Sequence, residues 1–369
     1  MNIGIPKEVK NHEYRVGMLP GNIQIFTDEG HKVFVEKGAG LGVGIVDEAY
    51  VAAGATVLTS AEEVWSLSDM IIKVKEPTKE EYSFFKEGLI LFTFLHLASE
   101  PELTEALCAK GVVAIAYETI QLADGSLPLL HPMSEASGRL SPQIGAHLLE
   151  KNSGGKGILL GGVTGIHQGH VVILGAGVVG RNAAMIATGL GAKVTILDIN
   201  VQRLSVITDI FGSSCATLLS HRSHLTEILP TADLLISGVL VAGAKSPTVV
   251  TEDMVKSMQP GSVVIDVAID QGGSVATMKP TTHDQPTFTL HQVVHYGVTN
   301  IPGCVPRTTT HALTNVTFPY AIEIASRGLT TTLRENPALC RGLNTSQGQI
   351  THPVVAESLG KECYEFFGS

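Results

Sequence analysis

The sequence predicts an α/β protein with two Rossmann-like, doubly wound parallel-sheet domains and a cleft between them. Two observations predict this class. Short apolar runs alternate with helical patterns over the first 130 residues, and a strand, glycine turn, helix and second strand follow one another from residue 170. Strands that alternate with helices pair in parallel, because each helix returns the chain across the sheet. At 369 residues the chain is longer than a typical single domain, and its length suits two domains.

The predicted elements follow the periodicity of the apolar residues. Gly111 follows one predicted helix, and glycine commonly ends a helix. Strands are expected at 2–5, 32–36, 55–58, 69–75, 89–95, 112–117, 233–237, 262–269 and 293–299. Helices are expected at 20–29, 47–53, 61–67, 79–86, 100–110, 134–150 and 308–327.

The stretch from His170 to Asp198 carries the pattern of a dinucleotide-binding unit. Gly175 permits the tight turn after the first strand, Gly177 lets the backbone approach a pyrophosphate, and Gly180 allows helix and strand to pack closely. The pyrophosphate then lies at the positive end of the helix. Asp198 ends the second strand, where it accepts hydrogen bonds from ribose hydroxyls and repels a 2′-phosphate. We therefore expect NAD rather than NADP.

A second glycine-rich stretch, from Gly38 to Gly44, follows another apolar run. Its glycines alternate, and neither register supplies the third glycine of the dinucleotide pattern. No strand that ends in an acid follows at the right distance. We expect this stretch to be a flexible loop.

Composition excludes several classes of protein. The formal net charge is −10 and there is no basic run, which argues against nucleic acid and anionic membranes as partners. No apolar run reaches the ~18 residues of a membrane helix, and the N-terminus lacks a signal-peptide pattern. Five cysteines without a CxxC pair are typical of reduced thiols. These observations predict a soluble, cytoplasmic protein.

Ionisable residues follow several predicted strands, and ligands of parallel sheets bind beyond the carboxyl ends of strands. Arg15 lies in the loop after the first strand, Lys75 and His96 end two others, and Asp270 ends a strand of the second half. Glu118 also ends a strand, and we expect it to be structural.

The chemistry of these side chains suits a small substrate that is oxidised by a nicotinamide. An arginine binds a carboxylate through two parallel hydrogen bonds. A lysine stabilises negative charge that develops on a carbonyl oxygen, and a histidine exchanges protons near neutral pH. The set fits oxidation of a 2-amino or a 2-hydroxy acid, and composition does not choose between the two.

The sequence also resembles the NAD-dependent alanine dehydrogenases and, more loosely, the nucleotide-binding subunit of transhydrogenases. The resemblance runs nearly from end to end. It implies reversible oxidative deamination of L-alanine to pyruvate and ammonia by a homohexamer. The motifs that carry it are MNIGIPKEVKNHEYRVGMLP (1–20), IIKVKEP (71–77), FTFLHLAS (92–99), HPMSEASGRLSPQIGA (131–146), GAGVVG (175–180), DVAIDQGG (266–273) and VTNIPGCVPRTTTHALTN (298–315).

The resemblance also implies roles for individual residues. Arg15 and Lys75 bind the substrate, and His96 and Asp270 are the acid–base pair. Residues 1–128 and 308–369 form the substrate domain, and residues 129–307 form the NAD-binding domain. The residues placed around NAD, besides the three glycines, are Ser134, Val178, Val179, Asp198, Arg203, Ser220, Val239, Leu240, Val267, Lys279, Val298 and Asn300.

The sequence departs from the family pattern at a few positions. Lys279 stands where an arginine is expected, and Ile301 replaces a methionine. Some members bind magnesium through a Glu/His pair in the long helix, but here Glu323 is followed four residues later by Arg327. An arginine cannot ligate a cation, so we expect an ion pair and no metal.

Two alternatives remain open. One is a soluble transhydrogenase-like subunit, although that family has Arg-Ala-Gln where this chain has Met133, Ser134 and Glu135. The other is an NAD-binding regulatory protein without turnover. The joint presence of Lys75, His96 and Asp270 counts against it.

Overall fold

A computed structural model describes residues 1–239 and 246–367. The chain divides into two compact units, of which the first contains Met1–Met133 with Gly303–Ser369 and the second contains Ser134–Pro302. The strands are β1 (Asn2–Ile5), β2 (Lys32–Glu36), β3 (Thr56–Leu58), β4 (Met70–Ile72), β5 (Ile90–Thr93), β6 (Val113–Ala116), β7 (His170–Leu174), β8 (Lys193–Asp198), β9 (Cys215–Leu219), β10 (Leu234–Ser237), β11 (Val263–Asp266), β12 (Thr287–Leu290), β13 (Val293–Tyr296), β14 (Leu343–Ser346) and β15 (Gln349–Ile350).

Helices connect most of these strands. They are α1 (Pro20–Asp28), α2 (Asp47–Ala52), α3 (Ala61–Leu67), α4 (Pro101–Ala109), α5 (His131–Leu148), α6 (Val178–Gly189), α7 (Val201–Phe211), α8 (Arg222–Ile228), α9 (Glu252–Lys256), α10 (Pro306–Arg327), α11 (Leu329–Glu335), α12 (Pro337–Arg341) and α13 (Pro353–Ser358). The helix expected at 79–86 is a 3₁₀ helix, Lys79–Phe84. No helix in the described part of the chain is both long and apolar enough to cross a membrane.

The sheet of the first unit has the order β15-β14-β6-β5-β4-β1-β2-β3. The pairs from β3 to β6 are parallel, and Ile3 of β1 lies opposite Val33 of β2 and Met70 of β4. The two strands of the closing segment add an antiparallel edge, since β14 pairs antiparallel with both β6 and β15. The sheet is therefore mixed, with parallel pairing at its centre.

The sheet of the second unit has the order β12-β13-β11-β10-β7-β8-β9. All of its pairs are parallel except the hairpin of β12 and β13. The strand order reverses at β7, which lies between β8 and β10, so the sheet is doubly wound. The α/β class predicted from the sequence is confirmed.

Both faces of each sheet are covered by apolar side chains. In the first unit, Ile72 belongs to the cluster on one face and Ile71 to the cluster on the other. In the second unit, Ile173 and Val172 divide in the same way. This double burial explains why the central strands appear in the sequence as continuous apolar runs rather than alternating ones.

Candidate functional site

The loop after β1 holds Arg15 in a fixed orientation. Arg15 is 2% exposed, and its Nε and Nη2 donate to the two carboxylate oxygens of Glu13 at 2.7 and 2.5 Å. Its Nη1 lies 3.1 Å from the Met133 sulfur. Two parallel hydrogen bonds fix the plane of a guanidinium. Arg15 is therefore an ordered, buried cation and not a solvated surface arginine.

The glycine-rich stretch 38–44 packs against this loop. It forms a 3₁₀ turn, Leu41–Val43, and a Cβ at Gly42 would lie 2.4 Å from the carbonyl oxygen of Tyr14. A side chain at this position would displace the residue next to Arg15. The stretch is thus a packed support for the Arg15 loop, and the expectation of a flexible loop missed this contact.

A buried cluster ends β4 earlier than the sequence predicts. Glu8 Oε1 accepts the backbone N–H of Val74 at 2.6 Å and that of Lys75 at 3.4 Å, so the Val74 N–H is not available to a neighbouring strand. Lys73 is fully buried, with Nζ 2.9 Å from Glu81 and 3.3 Å from Glu8. Burial lowers the pKa of Lys73, but the two carboxylates outweigh it and raise that pKa overall. The cluster fixes the backbone that carries Lys75.

Glu76 lies directly after Lys75 and is 7% exposed. Its Oε1 forms an ion pair with Lys10, and its Oε2 is buried without a hydrogen-bond partner among the described residues. Burial raises the pKa of this carboxyl, but Lys75, His96 and Lys10 together lower it to about 2. Glu76 is therefore ionised, and sequence reasoning missed it.

The backbone of His96 has a left-handed conformation, with φ 53° and ψ 35°. Glu118 supports this conformation, because its carboxylate accepts the N–H groups of Leu95 and His96, the latter at 2.6 Å. The imidazole stacks on Phe94, with 6.0 Å between the ring centroids and 5° between the planes. A non-glycine residue in this region is typical of functional sites, where surrounding contacts offset the strain. Glu118 thus supports the backbone of His96.

Arg15, Lys75 and His96 follow β1, β4 and β5, which are neighbours in the first sheet. The three strands are parallel, so their carboxyl ends meet at one edge of the sheet. This edge gathers the three predicted site residues of the first unit, as the sequence argument requires. It also gathers the acids Glu8, Glu13 and Glu76.

In the second unit, the turn between β7 and α6 has the geometry expected of its glycines. Gly175 has φ +92°, which disfavours other residues, and a Cβ at Gly180 would lie 1.7 Å from the Gly175 carbonyl oxygen. A Cβ at Gly177 would meet nothing within 4 Å. Gly177 caps α6. The N-terminus of this helix therefore faces open space that can take a phosphate group.

Asp198 ends β8 and is 5% exposed. Its Oδ2 accepts the backbone N–H of Ala176 at 2.6 Å, and its Oδ1 accepts that of Asn200 at 2.8 Å. The guanidinium of Arg203 lies 3.9 Å from Oδ2. Asp198 thus supports the glycine turn through a contact that spacing in the sequence does not reveal.

Most of the other residues predicted around NAD lie on two helices or follow strands of the second sheet. Val178 and Val179 begin α6, and Ser134 lies on α5. Ser220, Val239, Val267 and Val298 follow the carboxyl ends of β9, β10, β11 and β13. Leu240 lies outside the described residues.

Two of the predicted contacts have partners of their own. The Lys279 ammonium lies 4.5 Å from the centroid of the Phe288 ring, which belongs to β12. The carbonyl oxygen of Asn300 lies 3.0 Å from Nε2 of His283. These contacts fix where the two residues lie.

Asp270 is exposed on a 3₁₀ turn, Ile269–Gln271, after β11. The buried carboxylate of Asp266 holds this turn by accepting the N–H groups of Ala268, Ser274 and Val275 at 3.1, 2.7 and 3.0 Å. Burial raises the pKa of Asp266, although these donors oppose the effect. Asp266 is a further supporting acid that sequence reasoning missed.

The long helix α10 carries the ion pair expected from the sequence. Arg327 Nη1 lies 3.1 Å from Glu323 Oε1, and Glu323 Oε2 accepts from Asn336 Nδ2 at 3.0 Å. Both oxygens of this carboxylate are therefore engaged by side chains of the protein.

Comparison with known proteins places these features in a family. The family model for the N-terminal domain of "Alanine dehydrogenase/PNT" matches residues 4–137, and the model for the C-terminal domain matches residues 141–353. The chain belongs to the alanine dehydrogenase/PNT family. The resemblance predicted from the sequence motifs is confirmed.

Individual relatives agree with this membership. A protein of Methanococcus maripaludis named alanine dehydrogenase is 58% identical over 359 residues, which cover 97% of this chain and 96% of the relative. An alanine dehydrogenase of Bacillus subtilis is 56% identical over 364 residues, covering 98% and 96%.

Solved structures show the same fold. A structure named L-alanine dehydrogenase matches with a TM-score of 0.94 and 50% identity, over 98% of this chain and 99% of that one. A transhydrogenase from Sinorhizobium meliloti matches with a TM-score of 0.81 at 22% identity, over 96% and 99%. The transhydrogenase likeness concerns the fold alone.

Proposed function

We propose that the chain catalyses the NAD-dependent, reversible oxidative deamination of L-alanine to pyruvate and ammonia. The observation that carries the proposal is the edge of the first sheet, where Arg15, Lys75 and His96 follow three adjacent parallel strands. Relatives that are more than half identical over nearly the whole chain are named alanine dehydrogenase. This support favours the 2-amino acid over the 2-hydroxy acid.

The second unit fits NAD. Gly177 leaves open space at the start of α6, where backbone N–H groups and the helix dipole would hold the pyrophosphate. The carboxylate of Asp198 would face the adenosine ribose and exclude a 2′-phosphate. When bound, NAD accepts a hydride from the carbon that bears the amino group. We assign the remaining predicted contacts, from Ser134 to Asn300, to the same cofactor.

The residues of the first unit bind and orient the substrate. The guanidinium of Arg15, held in plane by Glu13, pairs with the substrate carboxylate. The Lys75 ammonium donates to the carbonyl oxygen of pyruvate and stabilises negative charge on it. His96 exchanges protons with the water that adds to and leaves the reacting carbon. Asp270 exchanges a proton with the amino group.

The test is a direct assay of alanine-dependent reduction of NAD. Mixing the protein with NAD and L-alanine at alkaline pH is expected to raise the absorbance of NADH, and pyruvate, ammonia and NADH are expected to give the reverse change. Activity with lactate or glycolate but not with alanine would contradict the substrate. Binding of NAD without any alanine-dependent reduction would favour a regulatory protein instead.

Two further proposals accompany this function. We propose a homohexamer. Light scattering tests this directly, because the measured mass is expected to be six times the chain mass of 39.0 kDa. We also propose a cytoplasmic location, which rests on the scattered cysteines without a CxxC pair. Fractionation of the source cells tests it.

A further inference from the structure

The proposed mechanism gives no task to Glu76, although its carboxylate is buried at the edge of the first sheet, directly after Lys75. It is 7% exposed and interacts electrostatically with Lys75, His96 and Lys10. One carboxylate oxygen pairs with Lys10, while Oε2 has no partner among the described residues. An ionised carboxylate with an unpartnered, buried oxygen is costly, so its position needs an explanation.

The explanation lies in the charges around His96. Lys75 and His96 follow the adjacent parallel strands β4 and β5, and an ammonium group disfavours a protonated imidazole nearby because like charges repel strongly where water is partly excluded. A carboxylate in the same place offsets this repulsion. Without it, the lysine that binds the carbonyl oxygen would suppress the protonated form of the histidine beside it.

The other carboxylates near this edge of the sheet have interactions of their own. The carboxylate of Glu118 accepts the backbone N–H groups that precede the imidazole. Glu8 is paired with Lys73 and with the backbone of β4's end. Glu13 is paired with Arg15. The charges of Glu100 and Glu76 both raise the pKa of Tyr82, in addition to burial.

We propose that Glu76 is a positioning residue of the site: its carboxylate, anchored by Lys10, offsets the repulsion between Lys75 and the neighbouring His96 when the imidazole takes up a proton. This inference rests on the proposed function, since it assigns Glu76 a part in that reaction. It identifies the Lys10, Lys75, Glu76 and His96 side chains as one electrostatic unit.

The inference is tested by the reactivity of His96 itself, which needs no turnover. Of the two protonation states of a histidine, diethylpyrocarbonate modifies only the neutral one. Mass spectrometry of the peptide that contains His96 reports the rate of its modification at each pH. In Glu76→Gln, the pH midpoint of modification is expected to fall. At a fixed pH below the midpoint, modification is expected to accelerate roughly three- to tenfold, the size of effect that one neighbouring charge commonly has.

A second variant is expected to shift the pH midpoint of His96 modification in the opposite direction. Lys10→Met removes a cation and leaves the carboxylate of Glu76 unopposed, so the midpoint is expected to rise and modification to slow. Lys10 has a side chain that is 35% exposed, so this variant also serves if Glu76→Gln does not fold. Glu76→Asp keeps the carboxylate, so its midpoint is expected to lie close to that of the wild type.

The control is Glu105→Gln, whose side chain is 66% exposed and pairs with Lys361. Its midpoint is expected to equal that of the wild type. An unchanged midpoint in both Glu76→Gln and Lys10→Met would overturn the inference, as would movement of both in one direction. The acid limb of kcat/KM is expected to move with the modification midpoint. Absence of alanine-dependent NADH formation in the wild type would instead contradict the proposed function.

Discussion

We expect two glycines of the turn after β7 to be needed for different reasons: Gly180 for the packing of α6 and Gly177 for binding of NAD. Substituting each by alanine distinguishes the two roles. A Cβ at Gly180 would lie 1.7 Å from the Gly175 carbonyl oxygen and 2.9 Å from its carbonyl carbon. Carbon and oxygen atoms in contact lie well over 3 Å apart, so α6 would have to move by more than an ångström. Overpacking of this kind costs about 1–3 kcal/mol or more, and we expect Gly180→Ala to lie at the upper end.

Gly177→Ala is expected to behave differently. The new Cβ would meet no protein atom within 4 Å, so stability should change by less than about 0.5 kcal/mol. The methyl group would occupy the space in which the pyrophosphate approaches the start of α6. Loss of one charge-assisted hydrogen bond costs about 1.5–3 kcal/mol, which corresponds to a roughly ten- to hundredfold weaker affinity for NAD.

The assay must report on the second unit. The only tryptophan, Trp65, lies in the first unit, so tryptophan fluorescence does not follow this turn. Hydrogen exchange of peptides that cover β7 and α6 measures local stability, and calorimetry measures the affinity for NAD. The matched control is Gly189→Ala at the end of α6, which also meets nothing within 4 Å. If Gly177→Ala destabilised β7 and α6 as much as Gly180→Ala, or bound NAD normally, the reasoning would be wrong.

The remaining predictions concern catalysis, cofactor choice and pH. His96→Ala is expected to lower kcat by about 10²–10⁴-fold with the calorimetric NAD affinity unchanged; a large loss of that affinity would indicate a structural role. Asp198→Gly is expected to shift the kcat/KM ratio toward NADP, because it removes a negative charge beside Arg203; an unchanged ratio would count against the role of Asp198. The pKa of Glu76 is lowered from 4.5 to about 2, so its ionised form contributes about 3 kcal/mol of stability above pH 4.5 that is lost as the pH falls toward 2. Urea unfolding should therefore show the stability gap between wild type and Glu76→Gln closing at low pH, and a constant gap would refute this linkage.

The central strands and the glycine turn could be predicted from the sequence because their signals are local. A fully buried parallel strand appears as an apolar run, as in β5 and β7, and the turn residues at Gly175 and Gly180 follow from spacing. Edge strands lack these signals. The strands β9, β12, β14 and β15 were not predicted individually. β9, β12 and β15 lie at sheet edges and are partly exposed, whereas β14 is buried but has a largely polar sequence, LNTS.

The supporting residues of the candidate site were invisible for the same reason. Glu8 reaches the backbone of Val74, which lies 66 positions later, and Asp198 reaches Ala176. No fixed separation in the sequence identifies such contacts, because a carboxylate can accept a hydrogen bond from any N–H group that the fold brings within reach. β4 ends early because Glu8 takes the Val74 N–H group in this way.

The sequence by itself determined the α/β class, the dinucleotide pattern and the residue types that the chemistry needs, since these depend on periodicity, glycine conformation and side-chain reactivity within short stretches. Only the tertiary structure decided which of the acids around Arg15, Lys75 and His96 accompany them at the edge of the first sheet. The reason is physical: the effect of a charge depends on its distance from other charges and on its burial, and both are set by strands that meet only when the chain is folded.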